Sequence, residues 1–433
     1  MAWDFSTEPD FQAKLDWMRD FVRAEIWPLE TVFDELEQSA VDRIYAPLQE
    51  EVKARGLWAA HLDPELGGQG FGQLKLGLMH EILGTSALAP NAFGCQAPDS
   101  GNSEILAISG SPEQKERYLH PLLAGDLKSA FSMTEPNTAG SDPTLLQTRA
   151  VRDGEDYVIN GRKWFSSNGS IADFLIVMAV TDPEARPHQR ATMFIVPVET
   201  PGVSILRDVA TMEHPAEEYG KLGGHAEVLY EDVRIPVSSR LGAEGMGFLL
   251  AQQRLYPGRI HHCMRWIGVA SRAFDMLCER STYRVAHGKP LGSHQSVQNW
   301  IADSAAEMQA ARLMTLHAAW VMDTQGVSAA RVPISLIKFY GANVLFNVID
   351  RAVQAHGALG YSCDLPLEAM YRHARGWRMY DGPDEVHRQS VARQILHKYA
   401  PPTDEVPSEH IPTRRAEARE KFAEMLTTAT ANS

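Results

Sequence analysis

Near the C-terminus a carboxylate stands directly before a glycine and a proline, in Tyr380-Asp381-Gly382-Pro383-Asp384-Glu385-Val386-His387, after a helix-like run from Leu365 to Met379. Glycine lets the backbone leave helical geometry, and proline, with φ fixed, suits the first position of a new helix. Asp381 is thereby placed in a bend between two helices. A carboxylate there can face a cavity, and free backbone N–H groups beside it can hold a substrate oxygen. That is one way to present a general base. The same residues also read as an N-cap and an acidic first turn, because Asp384 and Glu385 complement the helix dipole. The octapeptide alone does not choose between the two.

Two more segments carry polar chemistry. Phe131-Ser132-Met133-Thr134-Glu135-Pro136-Asn137-Thr138-Ala139-Gly140-Ser141-Asp142 reads as a strand running into a loop of small polar residues, which presents N–H groups and hydroxyls to a polar ligand edge. Ile159-Asn160-Gly161-Arg162-Lys163-Trp164-Phe165-Ser166-Ser167-Asn168-Gly169 sets aromatics beside hydroxyls, a combination suited to a flat heteroaromatic ring. Glu135 and Asp142 fit loop and cap roles better than an acid/base pair. His261, His262 and Cys263 are consecutive, and adjacent helical residues point different ways, so no metal site is expected. Leu66-Gly67-Gly68-Gln69-Gly70-Phe71-Gly72 lacks the Gly-Lys-Ser/Thr ending of a phosphate loop and is read as a flexible inter-helix loop.

The elements that must position these residues follow from periodicity. Phe11, Leu15, Met18, Val22, Ile26 and Leu29 recur at helical spacing, with a further helical stretch at Thr31 to Leu36 after Pro28. Leu74, Leu78, Ile82 and Leu83 continue the period, and Ser111-Pro112-Glu113-Gln114 opens another helix with a cap and a first-position proline. β-rich runs follow at Ser129 to Met133, Thr148 to Arg152, Tyr157 to Ile159, Phe174 to Val180, Thr192 to Val196 and Glu227 to Tyr230. Asp153-Gly154 and Asn160-Gly161 are read as turns between them. Long amphipathic runs at Val269 to Tyr283, Ser293 to Thr324 and Pro333 to His356 predict an antiparallel bundle. The expected fold class is α+β: a helical domain over 1–127, a small β domain over 128–240, a C-terminal helix bundle over 241–400, and a peripheral or partly disordered tail over 401–433.

Bulk properties narrow the function. At 433 residues the chain exceeds one ordinary core and has room for a large cofactor. A hydrophobic fraction of 44% and a charged fraction of 22% describe a soluble protein, with no apolar run expected to reach bilayer length. The opening Met1-Ala2-Trp3-Asp4-Phe5 shows no secretory signal, so a cytoplasmic location is expected. Cys95, Cys263, Cys278 and Cys363 form no C-x-x-C pair and are read as buried thiols. A net charge of −14 disfavours nucleic acid as a partner.

Taken together, Thr134-Glu135-Pro136 to Gly140-Ser141-Asp142, Asn160 to Phe165, Tyr283-Arg284 before His287-Gly288-Lys289-Pro290-Leu291 and Gln295, and Gln354 to Gly360 resemble the acyl-CoA dehydrogenase family in order and spacing. The resemblance covers roughly residues 10 to 400. Gly258-Arg259-Ile260-His261-His262-Cys263-Met264-Arg265 and Asp381 to His387 look most like the dehydrogenase part of the eukaryotic kinase-fused members, here expected as a stand-alone form.

The resemblance implies FAD as cofactor, bound through Phe131, Met133, Thr134, Ser141, Phe165, Ser166 and Ser167. Met133 and Thr134 would meet the pyrimidine side, Phe165 would flank the isoalloxazine where tryptophan is more usual, and Ser167 would hydrogen-bond near the hydride-accepting nitrogen. It implies that Arg284, Gln295, Gln354, Gly357 and Ala358 reach the FAD of a neighbouring subunit, hence a homodimer or homotetramer. Pro383, Asp384 and Glu385 would contact FAD after the base. Substrate would meet Ser141, Arg259, His262 and Gly382. Asp381 falls where most members carry a catalytic glutamate, its carboxylate withdrawn by about 1.5 Å, one C–C bond.

The implied reaction converts an acyl-CoA to a trans-2-enoyl-CoA within fatty-acid β-oxidation, Asp381 taking the α-proton, flavin the β-hydride, and an electron-transfer flavoprotein the electrons. The kinase-fused relatives handle acyl chains with an oxygen substituent, so a 4-hydroxy or 4-phosphorylated chain is one expectation, motivated by His261, His262 and the nearby arginines, with straight or branched chains as the alternatives. An acyl-CoA oxidase or flavin monooxygenase on the same fold, and a non-catalytic flavin or acyl-CoA binding module, remain alternatives.

Overall fold

The computed structural model describes residues 6–215, 223–402 and 406–430. Its first helix, α1 (Pro9–Phe21), buries Phe11, Leu15 and Met18, as the periodicity predicts, and Phe21 beside them. A wider π turn at Val22–Ile26 leads into Trp27–Glu30, so Pro28 falls at the start of a helical segment, where its missing N–H costs little. The helix expected at Thr31 to Leu36 is only a 3₁₀ turn, Phe33–Glu35. Helix α2 (Gln38–Ala54), unforeseen, carries Pro47 inside it. α3 (Gly72–Leu83) is capped from a distance: Asp323 accepts the N–H groups of Gln73 at 2.7 Å and Leu74 at 2.8 Å. α4 (Asp99–Ser109) follows, and Ser111 with Gln114 forms the expected capping box.

The sheet has eight strands: β1 (Ser129–Ser132), β2 (Arg149–Asp153), β3 (Asp156–Ser167), β4 (Phe174–Val180), β5 (Ala191–Pro197), β6 (Val203–Asp208), β7 (His225–Pro236) and β8 (Arg240–Leu241). They run in the order β6-β7-β3-β2-β4-β5-β8, with β1 parallel to β4. Asn160-Gly161 is not a turn. It lies inside the twelve-residue β3 at a register shift against β7, a bulge that glycine at φ 154° accommodates. A second shift, between Lys163 and Ser166, sets Phe165 in left-handed backbone at φ 50° and turns its ring outward, 40% exposed.

Three long helices form the bundle: α5 (Gly247–Tyr283), α6 (Gln295–Gln325) and α7 (Val327–His356). α5 and α7 are longer than their predicted runs, with Pro257 and Pro333 carried inside them, whereas α6 matches its predicted run to within two residues at either end. α7 has the length and apolarity of a membrane span, correcting the expectation that no such run exists. Half of its most apolar window is buried inside the protein, and that burial accounts for the composition. α8 (Leu367–Gly376) then leads to the bend at Asp381 and to α9 (Asp384–Leu396). The expectation of four buried thiols holds for Cys95 and Cys263, whereas Cys278 is half-buried and Cys363 exposed. The architecture is N-terminal helices, a central β sheet and a C-terminal helical bundle.

The chain divides into two compact units, residues 1–388 and 389–433. Within the second, the tail expected to be peripheral or partly disordered holds helices α10 (Ile411–Lys421) and α11 (Ala423–Thr430).

Candidate active site

Asp381 and Gly382 take φ values of 54° and 98°, two consecutive left-handed residues that turn the chain sharply between α8 and α9. Aspartate is among the few residues that tolerate this region. Gly382 is required, because a Cβ there would stand 2.8 Å from His387 Nε2. The bend is pinned from several helices. Arg259 Nε donates to the Asp381 carbonyl at 2.9 Å and His387 Nε2 to the same oxygen at 3.2 Å. Lys338 Nζ donates to the Trp377 carbonyl at 2.7 Å. Trp266 stacks on Trp377 with centroids 5.1 Å apart, and its Nε1–H donates to Tyr380 Oη at 3.1 Å.

The Asp381 carboxylate meets His262 Nε2 at 3.3 Å through Oδ2. Burial alone would raise this carboxyl, yet the charges facing it, His262, Arg259, Lys338 and Arg254, bring it below the usual carboxylate range. Burial pushes the His262 imidazole down to about 4. At neutral pH that ring is uncharged, so the arginines and the lysine hold the anion. Arg254 is itself fixed, its Nε bonded to Asn102 Oδ1 at 3.0 Å and its guanidinium 4.2 Å over the Phe131 ring. A surface groove of about 440 Å³ between Glu25, Leu29, Ile44 and Leu48 shares no residue with this cluster. Charge and backbone geometry, rather than volume, single out Asp381.

The Asp384 side chain is buried. At 1% exposure its Oδ2 accepts from Asn343 Nδ2 and Arg378 Nε, both at 2.9 Å, while its Oδ1 is buried without a hydrogen-bond partner. Pro383 is half-buried and Glu385 exposed. The cationic ring was only partly foreseen. Lys338 was available as the lone charge in the apolar run Ile334-Ser335-Leu336-Ile337-Lys338-Phe339.

The second constellation lies where β1 and β3 meet. Fully buried Lys163 donates to Met133 O at 2.8 Å and Glu135 Oε1 at 2.9 Å, while Glu135 accepts the Gln147 and Thr148 N–H groups at 2.7 and 2.9 Å. The Trp164 N–H donates to Thr134 O at 3.0 Å. Gly140 folds back so closely that a Cβ would stand 3.2 Å from Thr134 Cγ2, with exposed Ser141 next to it. Asp142 caps a 3₁₀ turn by accepting from Thr144. Glu135 and Asp142 thus serve the loop, as their sequence context suggests. The Ser166 hydroxyl is buried on Ser132 Oγ at 3.0 Å, facing the sheet interior, whereas Ser167 Oγ meets His225 Nδ1 at 2.8 Å and is half-buried.

Elsewhere, Arg284 and Gln295 flank the short hairpin that joins α5 to α6, and both are exposed. Gln354, Gly357 and Ala358 are exposed at the C-terminal end of α7. Arg284 lies 22 residues beyond His262 on one continuous helix, about 33 Å at 1.5 Å per residue. A single chain does not bring it to Asp381.

His261 and His262 diverge. His261 Nε2 pairs with Gln73 Oε1 at 2.9 Å and its ring lies 4.3 Å from that of His80, away from Asp381. Arg265 Nε donates to His80 Nδ1 at 3.1 Å and its terminal nitrogen to Cys95 O at 2.5 Å. Burial pushes this guanidinium down to about 10, and among the described residues it has no carboxylate partner.

N-terminal helices, a central sheet that presents an aromatic and a hydroxyl, and a C-terminal bundle with a carboxylate in the bend between two of its helices make up a three-domain architecture. Family models for the N-terminal, middle and C-terminal domains of acyl-CoA dehydrogenase match residues 8–126, 130–221 and 245–396. "Probable acyl-CoA dehydrogenase FadE2" of Mycobacterium tuberculosis is 43% identical over 398 residues, 90% of this chain and 95% of that protein. "Acyl-CoA dehydrogenase family member 11" of Rattus norvegicus is 42% identical over 356 residues, 82% of this chain but 45% of that protein. The solved butyryl-CoA dehydrogenase of Megasphaera elsdenii superposes with a TM-score of 0.79 at 29% identity, covering 91% of this chain and all of that one. The chain belongs to the acyl-CoA dehydrogenase family, whose members depend on FAD.

The residues present fit that cofactor. The outward Phe165 ring offers a flat apolar face, and Trp164 Nε1 is buried without a hydrogen-bond partner beside the Thr134 loop.

Proposed function

We propose that the chain dehydrogenates an acyl-CoA thioester to its trans-2-enoyl-CoA, with Asp381 removing the α-proton. The ring of Arg254, Arg259, Lys338 and His262 around one carboxylate carries this reading. A base so held is ionised at neutral pH. Moving the α-proton to it shifts the negative charge from the carboxylate to the thioester oxygen without changing the net charge of the site. The cations that hold the anion before transfer therefore still have one to stabilise afterwards. His262 occupies Oδ2 and leaves Oδ1 to accept the proton.

FAD, once bound, supplies the two-electron oxidant that takes up the β-hydrogen with its electron pair. Phe165 would pack on its ring, Ser167 would meet its polar edge, and the Met133–Thr134 and Ser141 backbone, anchored through Glu135 and Lys163, would hold its pyrimidine side. Arg284, Gln295, Gln354, Gly357 and Ala358, all exposed, would serve the cofactor of a neighbouring copy, so a homo-oligomer belongs to this reading. So do electron delivery to an electron-transfer flavoprotein and domain boundaries near 127, 240 and 400.

The acyl end is read as oxygenated. A half-buried guanidinium without a carboxylate is partly desolvated at a cost. A 4-hydroxy or 4-phosphorylated chain reaching Arg265 would offset that cost. Anaerobic titration of the flavin-loaded enzyme with plain and 4-substituted acyl-CoAs tests the whole reading. Bleaching with enoyl-CoA formed, strongest for oxygenated chains, is expected; no bleaching with any thioester would defeat it.

A further inference from the structure

Lys338 is fully buried in α7, the only charged residue between Ile334 and Ala342. Among the described residues no carboxylate forms an ion pair with it. Its Nζ reaches two carbonyls instead, Trp377 O at 2.7 Å and Gly382 O at 3.4 Å, which bracket the loop bearing Asp381. The rings of Trp266 and Tyr380 stand 5.1 and 5.4 Å away and enclose the ammonium in aromatic faces. A lysine kept here for packing alone would be better replaced by methionine, because a fully desolvated cation is costly to bury.

We propose that Lys338 is a positioning residue for the base: its hydrogen bonds clamp the 377–382 loop, and its charge acts with those of Arg259 and Arg254 to keep the Asp381 carboxylate ionised. The inference rests on Asp381 being the base. The groups facing that carboxylate are Arg254, Arg259 and His262 from α5, Lys338 from α7 and His387 from α9; those facing Lys338 are Asp381, Asp384, Arg259 and Cys263. Of the three fixed cations, Lys338 alone also bonds to both ends of the loop.

The experiment is α-proton exchange in D2O with hexanoyl-CoA and 4-hydroxyhexanoyl-CoA across pH, on FAD-loaded enzyme, with FAD occupancy measured for each variant. Lys338→Gln keeps an N–H donor for Trp377 O but no charge. Its acid limb is expected to move up by about one pH unit and its plateau to fall by a few fold, because one of the cations that stabilise the charge after transfer is lost. Lys338→Met loses clamp and charge, so the same upward shift should come with a plateau at least about tenfold lower, given the usual size of a base contribution. Lys338→Arg should restore the wild-type limb. If the Met variant does not fold, the Gln and Arg pair decides. Wild-type limbs in both uncharged variants would overturn the inference. Asp381→Asn separates the two layers: exchange undiminished in that variant, or absent from the wild type with both thioesters, strikes the base assignment itself and the Lys338 role with it.

Discussion

His262 Nε2 stands 3.3 Å from Asp381 Oδ2, an uncharged imidazole beside an ionised carboxylate, because burial pushes the imidazole down to about 4 while the charges around Asp381 hold its carboxyl low. His61 and His387 are driven to about 4 by burial in the same way. For each, the folded value lies below the ordinary 6.5, so the unfolded chain takes up the proton first as pH falls. Stability is therefore full above about pH 6.5 and drops toward pH 4, by up to about 1.4 kcal/mol per pH unit per histidine. Asp381, with its folded value depressed, adds a loss only at still lower pH. Urea midpoints should fall steadily between about pH 7 and about pH 5, and less steeply in His262→Asn.

Replacing Asp381 by asparagine preserves volume and removes the basic oxygen. Exchange of the α-proton should fall by about 10²–10⁴ with FAD affinity unchanged. Asp381→Glu advances the carboxylate by about 1.5 Å. It should keep turnover on short plain chains and lose it selectively on bulkier or oxygenated ones. Mass-spectrometric exchange assays over the same acyl-CoA set check both.

Much of this was legible in the chain because local rules dominate where the site is built. The Asp-Gly-Pro bend follows from backbone freedom at Gly382, and the Ser111 capping box is read directly from its spacing. Asn160-Gly161 misled because a bulge and a hairpin turn use the same dipeptide, and only the pairing of β3 with β7 distinguishes them. The partners of the Asp384 side chain, Asn343 and Arg378, are brought to it by tertiary packing, which leaves no mark on its sequence context. Lys338 went unread for a related reason: its partners are backbone carbonyls, which leave no mark on the sequence.

Arg265 makes an opposed pair of expectations. With no carboxylate near it among the described residues, Arg265→Met removes a desolvated charge, so thermal stability should hold or rise. The same change should raise KM for 4-hydroxy and 4-phosphorylated acyl-CoAs by about tenfold or more, the worth of a charged hydrogen bond, while leaving plain chains within about twofold. A loss of stability with no change in substrate preference would make Arg265 a packing residue.

Glu135 and Lys163 form the buried pair beneath the proposed flavin loop, 2.9 Å apart, at 3% and 0% exposure. Each partner also holds backbone: Lys163 takes Met133 O, and Glu135 takes the Gln147 and Thr148 N–H groups. Lys163→Met strands a buried carboxylate and should cost about 3–5 kcal/mol. Because Met133 O then loses its donor, the loop before Thr134 loosens and FAD should dissociate more readily. Glu135→Gln strands the ammonium at similar cost. The double variant strands neither charge, and its amide oxygen still accepts one of the two N–H groups. Its destabilisation should therefore fall short of the sum of the singles by about 2 kcal/mol or more, within the range measured for coupled neighbours. Denaturant curves give the coupling. FAD dissociation, followed by flavin fluorescence, should stay fast in the double variant, because the lost Met133 bond is not restored by removing a charge.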